Sequence, residues 1–291
     1  MDYIVLALPG NQFFAEEIAG FLQTNLGKLV ISHFPDGETY LRVESSVENK
    51  KAIIVCTMDY PDKKIIPLYF LAKTLKSLGA NSICLVAPYL AYMRQDKSFK
   101  TGEGITSDYF AKLISGFADE LITIDPHLHR RNSLSEIYSI PCKVIHASPL
   151  ISEYIKSHIL NPLLIGPDEE SEQWVSEIAK NAAAPYLILK KIRLGDRDVQ
   201  ITLPEIKKYK NHTPVIVDDI ISTAGTMIQT VRLLRKTGMT APACIAVHAI
   251  FAGNSFDELR KNGAGEIITT NSIAHQSNLI DISHLLARNI D

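Results

Sequence analysis

The sequence predicts an α/β protein of two similar domains, each a mostly parallel sheet flanked by helices. Three observations carry that expectation. Short β-branched runs alternate with amphipathic stretches along the whole chain. The runs are continuously apolar, as strands covered on both faces are. A length of 291 residues exceeds what one small core needs.

The strands expected are Tyr3–Leu8, Ala52–Cys56, Ser82–Ala87, Glu120–Ile124, Pro162–Gly166, Leu187–Leu189, Pro214–Val217, Ala243–Val247 and Glu266–Thr270. Helical patterns lie between them at Lys64–Leu78, Asp108–Phe117, Ser148–Ser157, Ser171–Ala182, Ala224–Thr237 and Ser255–Asn262. A polar loop from His129 to Ser133, then prolines at 141 and 149, mark a junction near residue 147. The domains expected are therefore 1–147 and 148–291. Their rhythms match, but they share too few letters to be read as a repeat.

Thirty basic and 32 acidic side chains nearly cancel. No global field would draw in nucleic acid or an anionic membrane, so an anionic ligand must be held by a local cluster. Cys56, Cys84, Cys142 and Cys244 are scattered without metal-ligand spacing and read as reduced thiols. The opening run Tyr3–Leu8 is short, lacks a basic flank and ends in Pro-Gly, so it reads as a strand and not as a signal peptide. No apolar run approaches the ~20 residues of a membrane helix. The expectation is a cytoplasmic protein.

The strongest local feature is Val215-Ile-Val-Asp218-Asp219-Ile-Ile-Ser222-Thr223-Ala224-Gly225-Thr226. A buried strand ends in two carboxylates, and a loop of small residues opens a helix. Ligands of open α/β sheets bind outside the carboxyl ends of strands. Small residues let backbone N–H groups close on a phosphate, with the helix N-terminus adding favourable polarity. Thr223 and Thr226 add hydroxyl donors, and Asp218 and Asp219 suit the vicinal hydroxyls of a sugar or a metal bound to them. Lys191 and Arg193, spaced i, i+2, share one side of an extended chain and could bind charge moving during phosphoryl transfer. The polar stretch after them, Gly195–Thr202, reads as a mobile flap. Arg94 and Gln95 offer a cation and an amide just past a strand.

The loop resembles the phosphoribosyl-pyrophosphate signature of the type I phosphoribosyltransferases. With Phe34-Pro-Asp36-Gly-Glu38, Arg94-Gln95-Asp96-Lys97, Asp125-Pro-His127, Gly166-Pro-Asp168, Lys191-Ile-Arg193 and Thr270-Asn271, in that order, the chain resembles the ribose-phosphate pyrophosphokinase family over residues 3–287. The resemblance implies ATP and ribose 5-phosphate as substrates and Mg²⁺ as cofactor. It implies Lys191 and Arg193 as the catalytic pair, and Arg94 and Gln95 as ATP ligands. Phe34, Asp36 and Glu38 become an adenine pocket donated by a neighbouring subunit, although a surface hairpin with an Asp-Gly turn is the plainer reading of that trio. Asp218, Asp219 and Ser222–Thr226 would bind ribose 5-phosphate. His127 and Asp168 would be metal ligands, with His129 a weaker candidate. A homo-oligomer, dimer or hexamer, is implied. The rivals are a phosphoribosyltransferase acting on a base and a non-catalytic regulatory homologue. Glu169-Glu170 after Asp168, Ser222 and Phe99 depart from the family pattern and put in doubt nucleoside-diphosphate inhibition and phosphate dependence.

Overall fold

The computed structural model describes residues 2–193, 199–202 and 206–290; the side chains of 170, 190–193 and 199–202 fall outside that description. The chain forms two units, Met1–Ile145 with Ser283–Asp291, and His146–Ile282.

In the first unit the elements run β1 (Tyr3–Ala7), α1 (Gln12–Phe21), β2 (Leu29–His33), β3 (Thr39–Val43), β4 (Lys51–Val55), α2 (Ile65–Ser77), β5 (Ser82–Ala87), α3 (Thr106–Ser115), β6 (Glu120–Ile124) and β7 (Cys142–Ile145). Strands β1-β4-β5-β6-β7 make one parallel sheet in that order. Its central residues Ile53, Ile54, Val55, Leu85 and Val86 are fully buried. Burial of one such side chain is worth about 1.5–3 kcal/mol, which is why these runs are apolar without alternation. On the other edge of β1, Val5 makes a single parallel bridge to Leu26. β2 and β3 form a separate antiparallel hairpin. Its residues are all half-buried or exposed, so it lacks the apolar density that marks the other strands.

The second unit runs α4 (Ser148–His158), β8 (Pro162–Gly166), α5 (Glu172–Asn181), β9 (Tyr186–Ile188), β10 (Lys190–Arg193), β11 (Val199–Thr202), β12 (Thr213–Ile221), α6 (Gly225–Lys236), β13 (Ala243–Ala249), α7 (Ser255–Lys261), β14 (Ile267–Thr270) and β15 (Asn278–Ile280). Its parallel sheet has the order β15-β14-β13-β12-β8-β9. After β8 the chain goes to one side, β9, and then to the other, β12. The order therefore reverses between β8 and β12. Again a hairpin, β10–β11, intervenes. The order of the first sheet is the same if Leu26 is counted in the place of β9.

A final helix, α8 (Ser283–Ala287), packs on α1 in the first unit. Residues 283–291 were expected in the second half, but burial of Leu286 and Ala287 ties them to the first. Among the described residues no helix is long and apolar enough to cross a membrane.

Candidate active site

The apolar run Pro214–Val217 was expected to end a strand. Instead β12 continues to Ile221, and its last rungs pair Asp218 with Ala246, Ile220 with His248 and Ile221 with Ala249 of β13. Asp218 therefore lies within the ladder, and Asp219 falls between its paired residues. Asp218 Oδ1 accepts the Asp219 N–H at 3.0 Å. Burial, and then the nearby Asp219 and Asp168 carboxylates, push Asp218 well above the usual carboxylate range. Sequence order separates Asp168 from Asp218 by fifty residues, and the fold brings their charges together.

Asp168 follows β8, on the other side of the point where strand order reverses. In open α/β sheets that crevice is where ligands bind. Gly166 sits closely packed here. A Cβ on it would lie 2.5 Å from Ile188 Cδ1 and 2.5 Å from Ser171 Oγ. Ser171 Oγ donates to the Asp168 carbonyl at 2.6 Å, so the glycine lets the turn carrying Asp168 fold close against the strand end.

After Ile221 the loop passes through half-buried Ser222, exposed Thr223 and buried Ala224 into α6. Ala224 has φ +58° and ψ 8°, a left-handed conformation that turns the chain sharply into the helix. Gly225 and Thr226 then open α6, where a helix leaves its first N–H groups without intrahelical partners and favours anions. Two carboxylates beside such an N-terminus form a polar site with both signs of charge: donors for an anion, acceptors for hydroxyls or a cation.

Lys191 and Arg193 lie on β10, opposite Ile201 and Val199 of β11. Their side chains, and residues 194–198 of the expected flap, lie outside the described residues.

In the first unit Phe34, Asp36 and Glu38 sit in the tip of the β2–β3 hairpin. Phe34 N–H donates to the Glu38 carbonyl at 2.8 Å, and Glu38 N–H to Asp36 Oδ1 at 3.2 Å. Phe34 is 52% exposed, edge-on to Tyr40 at 6.1 Å. The hairpin expected as the plainer reading is present, and it presents a bare aromatic face. Arg94 is exposed. Gln95 Oε1 accepts from Thr106 Oγ1 at 3.2 Å, at the start of α3. His127 is half-buried and its ring centroid lies 6.0 Å from that of His129.

The ion pair that joins these segments was not foreseen from the sequence. Asp96 is almost fully buried and pairs with Arg130 Nη1 at 2.8 Å, linking the Arg94–Gln95 run to the run that carries His127 and His129. Its other oxygen, Oδ2, is buried with no hydrogen-bond partner among the described residues. The only sequence signal was an Asp inside an otherwise basic and polar run. Among the described residues no three His, Cys, Asp or Glu side chains form a ready-made metal cage.

Residues 3–117 match the family model described as the N-terminal domain of ribose phosphate pyrophosphokinase, and residues 133–284 match the phosphoribosyl transferase domain. A ribose-phosphate pyrophosphokinase from Saccharolobus solfataricus is 35% identical over 263 residues, covering 89% of this chain and 89% of its own length. The chain belongs to the ribose-phosphate pyrophosphokinase family. Another member of that family, from Sulfolobus acidocaldarius, is 30% identical over 294 residues and covers 99% of this chain and 100% of its own. The fold is shared with phosphoribosylpyrophosphate synthetase from Mycobacterium smegmatis, with a TM-score of 0.87 and 23% identity over 99% of this chain and 97% of that one. The two-unit α/β architecture expected from the sequence is thus the ribose-phosphate pyrophosphokinase architecture.

Proposed function

We propose that this protein transfers the diphosphoryl group of ATP to the C1 hydroxyl of ribose 5-phosphate, giving 5-phosphoribosyl 1-pyrophosphate and AMP. The observation that carries the reading is the strand end of β12. Asp218 in the ladder with Asp219 beside it, a small-residue loop and a helix N-terminus follow one another at the reversal point of a parallel sheet. Ser222–Thr226 take the 5-phosphate, and Asp218 and Asp219 take the 2- and 3-hydroxyls. The C1 oxygen attacks the β-phosphorus in line, and AMP leaves. Chemistry of this class depends on positioning and charge neutralisation more than on covalent catalysis. Lys191 and Arg193 supply cations for the phosphate oxygens as charge shifts toward the leaving group.

Arg94 and Gln95 bind ATP, and Phe34, Asp36 and Glu38 receive adenine. The exposed Phe34 ring and the unpartnered Asp96 Oδ2 support a ligand of aromatic and donor character in this unit. The exposed, hydrogen-bonded hairpin tip fits donation to a second copy in a homo-oligomer, dimer or hexamer. Mg²⁺ binds through few carboxylates plus phosphates, so a complete protein cage is not needed. Asp168, Asp218 and Asp219 offer oxygen donors; burial first, and the neighbouring Asp219 and Asp168 carboxylates second, raise Asp218. Asp168 and His127 would hold Mg²⁺, which supplies charge neutralisation to the phosphates. A cytoplasmic setting fits the free, buried thiols; burial pushes Cys56 and Cys244 up to about 12.

Release of AMP from ATP on adding ribose 5-phosphate tests the reaction. Lys191→Ala should slow it by about 10²- to 10³-fold while ribose 5-phosphate still binds by calorimetry. Activity with a nucleobase and preformed diphosphate product, but none with ATP, would instead identify a base phosphoribosyltransferase.

A further inference from the structure

The turn after β13 lies outside the residues assigned above, yet it directs three donors at them. Phe251 N–H donates to the Ile221 carbonyl at 2.9 Å, and Ala252 N–H to the Ser222 carbonyl at 3.1 Å. Ser255 Oγ donates to the same Ser222 carbonyl at 2.9 Å. The Ser222 oxygen thus accepts two bonds, which matches its two lone pairs. These carbonyls belong to the peptide units that lead from β12 into the loop. A peptide unit is planar and trans, so fixing its C=O fixes the opposite aim of the N–H it carries. The Ile221 carbonyl shares a unit with the Ser222 amide, and the Ser222 carbonyl shares one with the Thr223 amide. Holding both oxygens toward the turn points both amides away from it.

The turn is itself braced. Phe251 has φ +40°, a conformation bulky residues rarely adopt, so its surroundings must hold it there. Its buried ring stacks on His275 with centroids 4.5 Å apart and meets Phe256 edge-on at 5.2 Å. His275 Nδ1 accepts the Ser277 N–H at 3.2 Å, which fixes that ring in turn.

We propose that Ser255 is a positioning residue for the sugar-phosphate loop, its hydroxyl holding the Ser222 carbonyl so that the Thr223 amide faces the 5-phosphate. The inference rests on reading Ser222–Thr226 as that loop. Ser255→Ala removes one neutral hydrogen bond. It should raise the KM for ribose 5-phosphate by about 3- to 10-fold, up to the worth of one such bond, with the KM for ATP nearly unchanged and only a small fall in melting temperature. Ser255→Thr keeps the hydroxyl and should restore the KM. Ser255→Cys, a weaker donor, should fall between and keeps the ranking readable if the extra methyl of threonine does not fit. Equal changes in both KM values, a fall in melting temperature alone, or a cysteine variant no better than alanine would each overturn the proposal. Thr226→Val, within the loop, separates the two layers of inference. If it leaves the KM for ribose 5-phosphate unmoved, the loop reading itself fails, and this inference with it. If it raises that KM and Ser255→Ala does not, only the positioning role is lost.

Discussion

The two units run their strands in the same order but use the backbone at the reversal point in opposite ways. In the first unit Asn11 closes the crevice. It is 2% exposed; its Nδ2 donates to the Leu8 and Pro9 carbonyls at 3.2 Å each, and its Oδ1 accepts the Thr57 N–H at 2.7 Å. Met58 N–H donates to the Tyr89 carbonyl at 3.0 Å, and Lys64, paired with Asp59, donates to the Thr57 carbonyl at 2.8 Å. The amides after β4 are thus spent within the protein. After β12 it is the carbonyls that are engaged, by the turn at 251–255. An anion cradle needs amides aimed outward. The two strand ends thus meet different neighbours: acceptors for amides, with Lys64 on one carbonyl, after β4, and donors on two successive carbonyls after β12.

The largest expected effect separates the two hairpins. Lys191→Ala on β10–β11 should lower kcat by about 10²- to 10³-fold, the loss typical of removing one group that stabilises transition-state charge. Phe34→Ala on β2–β3 should instead raise the KM for ATP by about 2- to 10-fold, the worth of one aromatic contact, with kcat kept. Comparable kcat losses from both would erase the distinction.

Next comes the closed crevice. Asn11→Ala would strand the Thr57 N–H and should cost about 1–3 kcal/mol in a denaturant titration. It should leave the KM for ribose 5-phosphate alone. A shift in that KM would mean the first crevice is not merely structural.

The third effect is smaller and has a definite sign. Asp218 is raised in the folded protein, so the native state holds its proton more tightly than the unfolded chain does. Its contribution to stability is complete below the unfolded pKa of about 4. It is lost as pH climbs through the raised folded value. Asp218→Asn should remove that decline and melt higher than the parent at pH 7–8, while losing activity. Melting curves across pH 4–8 without added divalent cation provide the check, and parallel curves for the two proteins would refute the charge crowding. The smallest change is Ala224→Gly, which relieves a left-handed alanine and should stabilise the protein by about 0.5–1 kcal/mol.

How much could be read in the sequence followed burial. Strands with continuous apolar runs, such as Ser82–Ala87 and Glu120–Ile124, were expected where they occur. The hairpin β2–β3 showed only as an Asp-Gly turn because none of its strand residues is fully buried. Helix α1 was missed because Phe13 and Phe21, both about half exposed, blur the stripe formed by Phe14, Ala15 and Ile18. β12 was cut short at Val217 because paired aspartates resemble a turn; ladder partners on β13 override that preference. At the site, Asp218, Asp219 and the loop were legible as contiguous chemistry. The partnership of Asp218 with Asp168, the Asp96–Arg130 tie and the donors from 251–255 were not. Each depends on a strand order that no local pattern encodes.

Helices α4 and α8 hold equivalent places in the two runs of strands, one following β7 and the other β15. Each packs in the opposite unit: α4 on α5, and α8 on α1. The two halves of the chain therefore trade their closing helices, as partners do in a domain-swapped dimer. Neither half is a finished fold. A nascent chain stopped at residue 147 has α1 without its cover, and the first unit is completed only when the ribosome has delivered Leu286.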